Sequence, residues 1–250
     1  MKNKTILHLG IQILCTLSLY ASYEQQHSYQ TSYITLTNKE EFLIDHIQKS
    51  IANAEQGISS LSKEVLAIQG MSSPKVRHLL NNLCSLPKTN YLEIGCWQGS
   101  TWVAALYNNA STISSAIAID NWSEFRSPKL RFRNNCNYFL KGNTYQFIEE
   151  DCFKVNLNHF SSPVNIYFYD GFHDTVSQEK AFTYFNDILD DTFIAVVDDW
   201  NFPEVPVGTF AAFEQLGYTI VFQKILPARW NGDTENWWNG IFIAVIRKTN

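Results

Sequence analysis

The chain has 250 residues and a formal net charge of -5. That length suffices for one α/β domain with a full core, and the acidic balance excludes a nucleic-acid backbone as the main partner, because phosphate binding needs clustered Lys and Arg. The cysteines, Cys15, Cys84, Cys96, Cys136 and Cys152, form no CxxC pair and no His/Cys zinc spacing, which excludes a structural zinc site and reads as free thiols in a reducing compartment.

In residues 1–22, Lys2 and Lys4 precede an apolar run over 6–21, the layout of a signal-like or membrane-prone segment. The run is broken by His8, Gly10 and Gln12 and is short for a membrane-spanning helix. Residues 23–38 are polar and read as an irregular linker. Residues 39–86 carry helical periodicity and form an N-terminal cap, with Phe42, Ile44, Ile47, Ile51 and Ala54 on one face and Val76, Leu79, Leu80 and Leu83 on another. From 87 to the C-terminus the texture changes to alternating short apolar runs and helical segments. Strands are expected at 91–94, 115–119, 145–148, 164–169 and 193–197, with helices at 100–107, 128–140 and 176–189. Such alternation gives a parallel sheet covered on both faces. Residues 218–225 and 241–246 are strands joined by a loop without a helix, hence an antiparallel hairpin. The expected fold is therefore α/β: a seven-stranded, mostly parallel sheet ending in that hairpin, with helices on both faces. Lys129, Arg131 and Arg133 form a local basic cluster, read as a solvated helix face rather than an anion site.

Chemistry concentrates at predicted strand ends. In Glu93-Ile94-Gly95-Cys96-Trp97-Gln98-Gly99-Ser100-Thr101 a strand turns into a helix. Gly95 permits a tight turn, Gly99 lets a ligand approach the backbone, and the helix start offers N–H groups to an anion. The spacing is ExGxxxG rather than the GxGxxG of dinucleotide sites. An acid before the first glycine repels phosphate and suits a cationic ligand such as S-adenosylmethionine, with its ammonium and sulfonium. Asp120 closes the second strand, where a carboxylate can accept ribose hydroxyls; its plainer alternative is a helix N-cap. Asp151 and Cys152 follow the third strand, at the level of an adenine amino group, with a simple turn aspartate as the alternative. Tyr169-Asp170-Gly171-Phe172-His173 ends the fourth strand and Val197-Asp198-Asp199-Trp200 the fifth. Carboxylates Asp170, Asp198 and Asp199 on adjacent strand ends repel one another unless a hard cation such as Mg²⁺ joins them. His173, three residues after Asp170, is placed to take a proton. The alternative is capping aspartates and a surface histidine.

These motifs, at 91–101, 118–120, 169–173 and 197–200, resemble the class I S-adenosylmethionine-dependent methyltransferases, and within them the branch that holds macrocin O-methyltransferase and, more distantly, catechol O-methyltransferase. The resemblance runs from about residue 71 to the C-terminus. It implies a Rossmann-like methyltransferase fold and metal-assisted O-methylation of a small hydroxylated substrate, a sugar or a phenol. By position it implies that Glu93 binds the methionine ammonium, that Gly95, Gly99, Ser100 and Thr101 line the cofactor, that Asp120 holds the ribose, and that Asp151 and Cys152 border the adenine. It implies Asp170, Asp198 and Asp199 as metal ligands, with His173 as the base and Asp170 beside it in catalysis. The loop with Trp230, Trp237 and Trp238 has no counterpart in the pattern; tryptophan faces stack on rings, and they also simply pack. The helical N-terminal part fits a lid over the cofactor or a homodimer contact.

S-adenosylmethionine is cytosolic, so a cytoplasmic enzyme is expected, with an N-terminal membrane contact or export as the alternative localisation. An exported binding protein that keeps the fold without the chemistry is the competing function. A nicotinamide-dependent oxidoreductase is disfavoured by the ExGxxxG spacing and by the terminal hairpin.

Overall fold

The computed structural model describes residues 35–125 and 128–249; the signal-like segment and Cys15 lie outside the described residues. Among the described residues no helix is long and apolar enough to cross a membrane.

From Thr37 onward the chain forms one compact unit. Helix α1 (Asn38–Glu55) starts at a capping box, in which Thr37 Oγ1 accepts the Glu40 N–H and the Glu40 carboxylate accepts the Thr37 N–H. Its buried stripe is Leu43, Ile47, Ile51 and Ala54. Phe42, expected on that stripe, is 54% exposed, because the spacing that includes Ile47 and Ile51 selects Leu43. Two capped helices follow, α2 (Lys63–Leu66) behind Ser62 and α3 (Pro74–Leu83) behind Ser73, the latter with proline in its first turn.

Seven strands make one sheet in the order β3-β2-β1-β4-β5-β7-β6. They are β1 (Thr89–Ile94), β2 (Ile113–Ile119), β3 (Gln146–Ile148), β4 (Val164–Tyr169), β5 (Leu189–Val197), β6 (Thr219–Leu226) and β7 (Ile241–Arg247). The first five pair in parallel, while β7 inserts antiparallel between β5 and β6. The expected topology, terminal hairpin included, is the one observed. Four further helices cover the sheet: α4 (Ser100–Leu106), α5 (Lys129–Phe139), α6 (Thr175–Thr183) and α7 (Glu204–Gln215). Alternation along the strands sorts the core into two layers. Tyr91 faces the layer of α1, α3, α4 and α5, and Leu92 and Ile94 face the layer of α6 and α7.

Two elements depart from expectation. The helix expected over 176–189 stops at Thr183, and after a 3₁₀ turn (Asn186–Ile188) β5 begins four residues earlier than its apolar run. Polar Asp190, Asp191 and Thr192 had disguised that start. Helix α7 was not anticipated; its sequence holds Pro206 and Gly208 and follows Pro203, residues unusual in a helix interior. The prolines fall at its start and first turn, where no intrahelical N–H is needed. Gly208 lies against α6, where a Cβ would come within 2.2 Å of the Thr175 carbonyl oxygen. The basic cluster on α5 is a helix face with partners: Lys129 meets Glu149, Arg131 donates to Gln69 at 2.9 Å, and Arg133 lies over the Phe147 ring.

Candidate active site

The parallel strands β1 to β5 end on one side of the sheet, and their ends bring the predicted residues together. After β1 the chain turns sharply, with Gly95 at φ +85° and Gly99 at φ +83°. Both need the left-handed region that a side chain disfavours. Gly95 has a second reason: a Cβ there would sit 1.8 Å from the Asp170 carbonyl oxygen, at the end of β4. The glycine loop and the acid-rich end of β4 are therefore in direct contact.

Asp120 clamps this loop. Its Oδ2 accepts the N–H groups of Cys96 and Trp97, each at 2.8 Å, and its Oδ1 accepts Trp122 N–H at 2.6 Å. It is not a helix N-cap. Trp97, held at φ +42°, accepts the Trp122 indole N–H on its carbonyl at 2.8 Å. Its own indole Nε1 is buried with no partner, an open donor of the kind that costs about 1–3 kcal/mol unless something satisfies it.

Glu93 lies beneath the loop rather than on its surface. It has 0% exposure, and its oxygens accept Tyr91 Oη and Thr101 Oγ1, both at 2.6 Å. Burial pushes its carboxyl up to about 7, against the pull of those two hydroxyl donors, Thr101 first. Glu93, expected to meet a ligand ammonium, thus has one hydroxyl donor on each oxygen, Tyr91 on Oε2 and Thr101 on Oε1. Ser100 is buried as well, 3.4 Å from the Ser72 hydroxyl. Beyond β3, Asp151 caps the short turn Cys152–Lys154 by accepting Phe153 N–H at 3.1 Å, and pairs with Lys154 at 3.0 Å. The turn-aspartate geometry is thus present. Burial pushes the neighbouring Cys152 thiol up to about 12, so it stays protonated at neutral pH.

The second cluster forms as expected. Asp170, Asp198 and Asp199 each offer a carboxylate oxygen within 4.8 Å of the others. Burial, then the charges of Asp198 and Asp199, push Asp170 well above the usual carboxylate range; burial and Asp199 do the same to Asp198. Asp198 Oδ1 accepts Asp199 N–H at 2.9 Å, and Asp199 sits at φ +61°, a strained backbone for a residue with a side chain. His173 Nε2 lies 2.5 Å from Asp199 Oδ2, and the imidazole stacks on Phe202 at 4.9 Å. That hydrogen bond raises the His173 pKa, burial opposing it.

Two residues that sequence reasoning missed complete the site. Asn239 donates to Asp199 at 2.5 Å, and fully buried Asp233 organises the loop that carries Asn239. The run of Asp, Asn and Gly over 231–240 signals tight turns, but nothing local signals a contact with residue 199. The tryptophans of this loop divide: Trp237 is buried at 5%, Trp238 is partly buried, and Trp230 is 55% exposed beneath the Arg229 guanidinium.

The fold is that of the class I S-adenosylmethionine-dependent methyltransferases. The SAH-bound methyltransferase PaMTH1 of Podospora anserina matches with a TM-score of 0.52 at 14% identity, over 92% of this chain and 96% of that one. TrmN of Thermus thermophilus matches with a TM-score of 0.53 at 13% identity, over 74% of this chain and 52% of TrmN, so the chain spans about half of that protein. At such identities the likeness is one of fold. No protein-family description matches the sequence, and no curated protein matches it at a significant level.

Proposed function

We propose that the protein is an S-adenosylmethionine-dependent methyltransferase that transfers the methyl group to a hydroxyl of a small acceptor, a sugar or a phenol, with help from a divalent cation. The observation that carries this reading is the contact between Gly95 and the Asp170 carbonyl, which sets the cofactor-type loop directly against the acid trio. The SAH-bound Podospora protein of the same fold supports the choice of cofactor.

The residues present fit both groups. The strand ends carry Glu93, Asp120 and Asp151 and no clustered cations, which suits a cationic nucleoside better than a phosphate. The orphan Trp97 Nε1 supplies a donor for such a ligand. Three mutually repelling carboxylates form an all-oxygen donor set, the kind that Mg²⁺ prefers.

Asp120, Asp151 and the loop 95–99 would hold the nucleoside, and Asp170, Asp198 and Asp199 the cation. Glu93, beneath the loop, accepts Thr101 Oγ1 and so fixes the start of α4, and its carboxylate is the acid assigned to the ligand ammonium. S-adenosylmethionine supplies the methyl group, and Mg²⁺ supplies Lewis acidity that lowers the pKa of an acceptor hydroxyl. Asp170, Asp198 and Asp199 stand where that hydroxyl must approach, next to the glycine loop, so positioning carries much of the rate. His173, made more basic by Asp199, is assigned to receive the hydroxyl proton on its exposed imidazole.

Incubating the protein with S-adenosylmethionine and a panel of phenols, catechols and sugars, and following S-adenosylhomocysteine release, tests this. Release that requires an acceptor and Mg²⁺ and stops with chelator is expected. Turnover unaffected by chelator would remove the cation from the account, and absence of S-adenosylhomocysteine binding by folded protein would favour a binding protein that keeps the fold alone.

A further inference from the structure

The loop between β6 and β7, residues 227–240, supplies no carboxylate to the trio, yet it is fastened to it. Asn239 Nδ2 donates to Asp199 Oδ1 at 2.5 Å, Asn239 Oδ1 accepts Gly232 N–H at 2.7 Å, and the Asn239 carbonyl accepts Asn201 N–H at 2.8 Å. Both ends of the side-chain amide are committed, so its orientation is fixed. The loop around it is rigid by construction. Asp233, 0% exposed, accepts hydrogen bonds from Arg229, Glu235 and Asn236. Gly240 lies at φ +89°, with Asn201 Oδ1 only 2.6 Å from where a Cβ would stand. At its other end the loop reaches α3, where Asn236 accepts from Ser73 Oγ and, at 3.0 Å, from Lys75 Nζ.

Asp199 needs such a tether. Its backbone is strained, and repulsion from Asp170 and Asp198 favours turning its carboxylate away. His173 Nε2 holds Oδ2 at 2.5 Å, and Asn239 resists the turn at Oδ1 with a neutral donor. A lysine or arginine at this point would hold Asp199 equally well but would neutralise the trio and compete with a cation. An amide hydrogen-bonds one lone pair of Oδ1 and leaves the trio its charge.

We propose that Asn239 is a positioning residue that holds Asp199 in register with Asp170 and Asp198, so that the β6–β7 loop sets cation affinity without contributing a ligand. The inference rests on the reading of the trio as a divalent-cation site. Outer partners of metal ligands commonly account for about 10–100-fold in affinity.

Mn²⁺ is the probe. Binding to the full chain is followed by electron paramagnetic resonance of the free ion, alongside melting temperature in chelator. Asn239→Ala is expected to weaken Mn²⁺ binding about 10-fold or more. Asn239→Gln, which keeps the amide but displaces its donor, should weaken it too, and covers the case in which the alanine variant does not fold. Asp233→Asn, which disturbs the loop away from Asp199, should lower the melting temperature with little change in Mn²⁺ affinity. Unchanged affinity in Asn239→Ala overturns the inference, as does an equal loss in Asp233→Asn, which would show that loop integrity alone matters. If the unaltered chain binds no Mn²⁺ at millimolar concentration, the cation reading falls and this inference with it.

Discussion

Replacing Asp198 by asparagine should make the metal-free protein more stable and the enzyme inactive. Asp198 is 2% exposed, and its carboxylate oxygen lies within 4.8 Å of those of Asp170 and Asp199. Two full charges at that separation repel by about 3.5 kcal/mol at an effective dielectric near 20. Proton uptake, which the raised values of Asp170 and Asp198 favour, relieves part of this. Asparagine keeps the oxygen that accepts Asp199 N–H at 2.9 Å and adds an amide donor for the remaining carboxylates. We expect a gain of about 2 kcal/mol in chelator, or about 4–8 °C in melting temperature for a domain of this size. With Mg²⁺ the order reverses: at about 100 times its dissociation constant a bound ion stabilises the unaltered protein by about 2.7 kcal/mol, and the variant loses that increment. Thermal melts of both proteins in chelator and in Mg²⁺ decide the matter. A variant that melts below the parent in chelator would mean that Asp198 is held by structural hydrogen bonds, and the reasoning from repulsion would be wrong.

Gly95→Ala forces a Cβ to 1.8 Å from the Asp170 carbonyl at φ +85°; a loss of about 3 kcal/mol or more in denaturant unfolding is expected, together with loss of S-adenosylhomocysteine binding. Trp97→Phe removes the orphan indole N–H but keeps a ring against Phe125; stability should hold or rise, while S-adenosylhomocysteine affinity in calorimetry should fall by about 5–10-fold. Glu40→Gln breaks the ion pair of α1 with Arg247 on β7, whose contacts are 2.5 and 2.7 Å. Arg247 holds Glu40 at about 2, below the ordinary 4.5, so the pair stabilises fully above about pH 4.5 and the contribution fades as pH falls toward 2. With the Arg247 side chain 32% exposed, about 2 kcal/mol is expected at pH 7, and the melting temperatures of variant and parent should converge toward pH 2.

The strands and the residues at their ends were legible because both depend on short-range pattern. Apolar runs between breakers mark parallel strands, and a doubly wound sheet places strand ends on one rim, so Asp120, Asp170, Asp198 and Asp199 could be assigned to one region without coordinates. The partners of these groups were not legible. Alternation along β1 puts Tyr91 and Glu93 on one face, and with Thr101 in the first turn of α4 this closes a buried hydrogen-bonded set. The motif's spacing announces the acid and the glycines but not the two hydroxyls that hold the acid from within the core. Asp120 likewise has its oxygens engaged by three loop N–H groups. Helix α7 was hidden because proline and glycine mean a break in local terms, whereas here they serve a first turn and a close helix contact. Asn239 meets Asp199 across 40 positions, a contact that depends on tertiary closure alone.

Calorimetric titration of the protein with S-adenosylmethionine, with and without Mg²⁺ and with Asp120→Ala in parallel, tests the central claim most directly. The account predicts micromolar binding that Asp120→Ala weakens and a separate Mg²⁺ signal that chelator removes. No heat of binding from a folded sample would contradict it and leave a methyltransferase fold without its cofactor.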